Sequence, residues 1–64
     1  MPDPAKVAEA VAWLRRNAGH YAAEAEQPDQ HGLADWMRTL SGRFREAAEL
    51  IEALQAEVER RTNP

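Results

Sequence analysis

Residues 33–58 read LADWMRTLSGRFREAAELIEALQAEV, and the periodicity of this stretch decides the fold. Apolar side chains fall at Leu33, Met37, Leu40, Phe44, Ala47, Ile51, Leu54 and Val58. The steps alternate four and three without a fault, which keeps one face of an α-helix apolar over many turns. Ala34, Ser41 and Ala48 widen the stripe on one side with small residues, and Trp36 and Leu50 widen it on the other. Glu57 stands four residues before Arg61, a helix-supporting pair. Arg60 and Arg61 suit the negative end of the helix dipole.

Upstream, Met1-Pro2-Asp3-Pro4 reads as a helix entry. Asp3 can cap free amides and Pro4 suits the first helical position. Apolar or small residues then recur at Val7, Val11, Leu14, Ala18, Tyr21 and Ala25 with the same alternation. Pro28 disfavours helix at Gln27, and Gln27-Pro28-Asp29-Gln30-His31-Gly32 has turn composition. The predicted fold is therefore all-α: one domain, residues 1–64, forming an antiparallel hairpin with helices over about 4–27 and 31–61. Counting outward from the turn sets Ala25 level with Leu33, Tyr21 with Met37, Ala18 with Leu40, Leu14 with Phe44, Val11 with Ala47 and Val7 with Ile51. Leu54 and Val58 are left with nothing opposite, an overhang of roughly 10–15 Å.

Composition supports this reading. Thirteen of 64 residues are alanine, and Val, Ile and Thr are sparse, which favours helix over strand. With no cysteine, disulfide scaffolds and thiolate metal sites are excluded. Eight Lys and Arg against eleven Asp and Glu give a net charge of −3, which disfavours nonspecific nucleic-acid binding. No apolar run is long enough for a membrane span and no signal peptide opens the sequence, so the expected compartment is the cytoplasm. A two-helix core without a staple is thin. The overhang and the thin core together predict a homo-oligomer, with Leu40, Phe44, Ile51, Leu54 and Val58 as its seam.

The two helices also echo one another. Trp13-Leu14-Arg15, Ala18-Gly19-His20-Tyr21 and Ala25 stand 23 residues before Trp36-Met37-Arg38, Ser41-Gly42-Arg43-Phe44 and Ala48. Such an echo predicts a pseudo-twofold axis between the helices. Gly19 and Gly42, each beside a small residue, suggest either close approach of another group or a tolerated exposed position.

No set of residues reads as catalytic. Ser41 stands mid-helix without a base in reach, and His31 with Asp35 and Asp29 is explained by turn solvation and capping as well as by metal binding. No cofactor is expected. Arg15, Arg16, Arg38, Arg43 and Arg45, with Trp13 and Trp36, are the candidate binding residues. Guanidinium forks beside aromatic faces suit a protein interface or a small anionic, nucleotide-like ligand.

The stretch Arg45-Glu46-Ala47-Ala48-Glu49-Leu50-Ile51-Glu52-Ala53-Leu54-Gln55-Ala56-Glu57-Val58-Glu59-Arg60 resembles the closing helix of small bacteriophage and prophage accessory proteins. The resemblance implies a small protein that acts by binding a host protein, inhibition of a bacterial defence system being one such role. The other functions the residues allow are an oligomer that sequesters a small anionic ligand and a purely structural coiled-coil module.

Overall fold

The computed structural model describes residues 3–29 and 32–62. They form two helices, α1 (Pro4–Ala25) and α2 (Ala34–Thr62), packed antiparallel as a hairpin. The Asp3 carboxylate accepts from the Ala5 amide at 2.9 Å, and the Asp3 carbonyl accepts from the Val7 amide at 3.0 Å, so the entry is capped as its sequence predicts. At the other end Glu26 closes the helix, and the Glu26 and Gln27 amides donate to Ala23 and Glu24.

Both inner boundaries differ from those expected. Helix α1 stops at Ala25, not at 27, because Pro28 restricts the residues before it. Helix α2 begins at Ala34, not at 31, because Gly32 adopts φ +73°, a left-handed conformation that a right-handed helix cannot include. The Leu33 carbonyl then accepts the first α2 amide, from Met37, at 2.9 Å.

The interior of the hairpin is built from small side chains. Val11, Ala18 and Ala25 of α1 and Ser41 and Ala48 of α2 are its buried residues, and Ala48 is 0% exposed. They recur every seven residues, the spacing that returns a helix to nearly the same direction. The Ser41 hydroxyl donates to the Ala18 carbonyl at 2.7 Å, so α2 approaches the backbone of α1 itself.

The line of contact within the hairpin therefore runs beside the large apolar residues of the stripe and not along them. Leu40, Phe44 and Ile51 are not its centre but half-buried flanks, while Leu33, Leu54 and Val58 are exposed. A seam centred on leucine would hold the backbones farther apart than a Ser41–Ala18 hydrogen bond allows. Where small residues set the distance, larger ones must move to the sides. Ala34, Ser41 and Ala48, expected at the margin, mark the axis of contact instead.

Burial follows the 23-residue echo closely. Ala18 and Ser41 are both buried, as are Ala25 and Ala48; Leu14 and Met37 are half-buried, as are Tyr21 and Phe44; Trp13 and Trp36 are exposed. Ala18 and Ser41 also touch each other. Matched members of the echo thus meet across the hairpin, as a pseudo-twofold relation between antiparallel helices would require.

Overpacking of this seam should be costly. Ala48→Leu is expected to lose about 1–3 kcal/mol in urea unfolding. A Cβ at Gly42 would meet nothing within 4 Å. Gly42→Ala should therefore gain about 1 kcal/mol in the same assay, since no close approach requires the glycine.

Candidate functional site

Helix geometry sorts the remaining side chains into two faces of the hairpin. Counting from the buried heptad positions, one flank carries Val7, Leu14 and Tyr21 from α1 beside Met37, Phe44, Ile51 and Val58 from α2. The opposite flank carries Ala8, Arg15 and Ala22 beside Arg38, Arg45 and Glu52. One face is apolar and aromatic, and the other is charged.

The apolar face is organised around Phe44. Tyr21 stacks on it with ring centroids 5.7 Å apart, and Trp13 meets it edge-on at 5.8 Å. Both separations lie in the favourable range for aromatic pairs. Phe44 lies about two turns beyond Met37, the residue counted level with Tyr21, so the two rings meet by leaning toward each other along the groove, each toward the N-terminus of its own helix. Trp13, whose burial the sequence leaves open, is 51% exposed, with its ring laid over the edge of the face.

Toward the open end of the hairpin the face deepens into a hollow of about 290 Å³ lined by Pro4, Val7, Ile51, Leu54, Val58 and Thr62, with Gln55 and Glu59. Val7 and Ile51, counted level in the register, both line it. The overhang is real: α2 continues past the start of α1, leaving Leu54 66% exposed. Leu33, Trp36 and Leu50 are exposed as well, so among the described residues four of the six exposed large apolar side chains belong to α2 and a fifth, Leu33, immediately precedes it.

The cause lies in where the echo breaks. Asn17 in α1 corresponds to Leu40 in α2, Glu24 to Ala47, and Ala10 to Leu33. The outer row of the apolar face is therefore polar or small on α1 and leucine-rich on α2. The Asn17 amide turns back to its own helix and donates to the Trp13 carbonyl at 2.8 Å.

The arginines do not gather at one point. Arg15 pairs with Glu52 across the hairpin, beside a shallow hollow with Ala8, Val11, Ala12 and Gln55. Arg38 pairs with Asp35 at 2.9 Å, and Arg43 stands 3.9 Å from Glu46. Arg16 and Arg45 are exposed. Around the helix axes these arginines diverge: Arg15, Arg38 and Arg45 take the charged flank, while Arg16 and Arg43 point outward from the seam. Trp13 and Trp36 border the other face, away from most of them. His31 of the candidate metal trio lies outside the described residues. Among the described residues, no three His, Asp or Glu side chains converge as a metal site, and no helix is long and apolar enough to cross a membrane.

Comparison with family models, with curated proteins and with solved structures finds no match to this chain.

The Arg15–Glu52 pair is half-exposed on both sides, so its contribution to stability should be small. A double-mutant cycle with Arg15→Ala and Glu52→Ala is expected to give a coupling energy below about 1 kcal/mol, falling further with added salt.

Proposed function

We propose that the hairpin is a non-enzymatic binding module whose apolar face takes a helix of a protein partner. The observation that supports this is the one-sidedness of the exposed apolar surface. Trp13, Phe44 and Tyr21 form an aromatic row, and Leu40, Leu54 and Val58 extend it along α2. Contiguous apolar patches on small soluble domains mark interaction sites. A groove between two helices, repeating at helical spacing, suits an amphipathic helix laid along it. Tyr21 beside Phe44 and Trp13 at the edge are residue types that carry much of the binding energy at protein interfaces.

Inhibition of a host defence protein is a role such a module would serve, and the resemblance of residues 45–60 to phage accessory proteins is its basis. The face that would cap the host protein is the same one. For a small anionic ligand the arrangement is less suited, since Arg15, Arg38 and Arg43 already stand beside carboxylates.

A photo-crosslinking amino acid placed at position 54, and separately at position 16, tests the proposal in a bacterial host. Position 54 lies on the apolar face and position 16 points away from it. Covalent adducts to protein from position 54 and few from position 16 are expected. Equal labelling from both, or no protein adduct from position 54, would refute a binding role for this face.

A further inference from the structure

We propose that the occupant of the apolar face is a second copy of this chain, docked so that the two α2 helices run antiparallel across a twofold axis near Ala47. The inference rests on the reading of that face as a protein-binding surface and names what binds there.

Surface area supplies the first argument. A compact folded monomer of this mass exposes about 4,100 Å². The hairpin exposes 5081 Å², so the excess is about 1,000 Å², close to the ~800 Å² that each partner loses in a standard interface. The elongation agrees: the radius of gyration is 15.1 Å, against about 11 Å for a compact chain of this length. One layer of two helices is too thin to cover its own large side chains, and a second layer of the same shape would cover them.

The distribution of apolar side chains says which helices meet. Two hairpins can stack face to face about a twofold axis in two ways. With both turns at one end, α2 lies over the partner's α1 and sets Leu33 and Leu40 against Glu24 and Asn17. With the turns at opposite ends, α2 lies over α2, and the leucine-rich rows face each other. A dyad at Ala47 brings Leu40 level with Leu54 of the partner subunit and Trp36 level with Val58 of the partner subunit. It places a small residue where the two helices cross most closely. The overhang is then covered, since Leu54 and Val58 lie against the first half of the other α2.

Charge at the margin of the face agrees with this arrangement. Arg38, Arg45 and Glu52 lie on the opposite flank, but Arg43 and Glu57 share the heptad position of Trp36 and Leu50 at the border of the apolar face. Antiparallel α2 helices set Arg43 toward the half of the other helix that carries Glu57, whereas a parallel pair in register would set Arg43 beside its own copy.

Sedimentation equilibrium at about 100 µM, well above a micromolar Kd, should give twice the 7.2 kDa chain mass. Leu54→Asp should weaken the dimer by at least about tenfold while leaving helicity intact, because Leu54 is exposed within one hairpin. Arg16→Glu should leave the dimer unchanged. The chain has no cysteine, so orientation can be read by oxidation: a mixture of Leu40→Cys and Leu54→Cys chains should crosslink as the heterodimer faster than either variant alone. Preferred crosslinking of Leu54→Cys with itself would overturn the antiparallel arrangement, and a dimer indifferent to Leu54→Asp would overturn this interface. A monomer at that concentration would overturn the second copy as occupant. If position 54 of that monomer still crosslinks to a different protein, the binding role of the face stands without it; if it crosslinks to nothing, both fall.

Discussion

The separation of the two helices is the constraint on which the rest of the molecule depends. Ser41 reaches the Ala18 carbonyl directly, and that contact requires small side chains wherever the helix axes run closest. Val11, Ala18, Ala25, Ser41 and Ala48 meet the requirement at intervals of seven. Once they occupy the axis, every larger apolar residue is displaced to a flank. Leu14, Tyr21, Met37, Phe44 and Ile51 are half-buried for this reason, and Trp36, Leu54 and Val58 are exposed. The exposed apolar face is thus a consequence of close packing, not a defect of it.

Much of the architecture is legible in the sequence. Asp3-Pro4 marks the start of α1, Pro28 and Gly32 bracket the turn, and alternating steps of four and three carry both helices. The rotation of each helix about its own axis is not legible in the same way. Alternation defines a stripe some residues wide, and the middle of that stripe is easily assigned to its largest members. Whether leucine or alanine occupies the centre depends on how near the backbones come, which is a tertiary property. The heptad recurrence of Ala18, Ala25, Ser41 and Ala48 was the available signal, and it becomes decisive once the Ser41 hydroxyl has a partner. For the arginines, axial level is readable from the turn, but azimuth again depends on the same rotation. That is why the arginines named together as candidate binding residues divide between the charged flank and the outer surface.

The echo between the helices connects this packing to function. Where it holds, at Ala18 with Ser41 and Ala25 with Ala48, the two helices contribute alike to the seam. Where it fails, at Asn17 against Leu40 and Glu24 against Ala47, they diverge, and α2 becomes the helix that offers apolar surface. Its greater length follows the same asymmetry. Helix α1 then serves as a support that fixes the direction in which α2 presents its outer row. On the proposed binding role, such a module would recognise its partner by shape and apolar area.

The most direct test of the account is the set of nuclear Overhauser contacts made by the Ala48 methyl in the isotopically labelled chain. Close packing about a small-residue axis predicts contacts from Ala48 to Val11 across the hairpin, alongside ring contacts joining Trp13, Phe44 and Tyr21. Cross-hairpin contacts centred instead on the Leu40 and Leu54 methyls, with Ala48 silent toward α1, would contradict it.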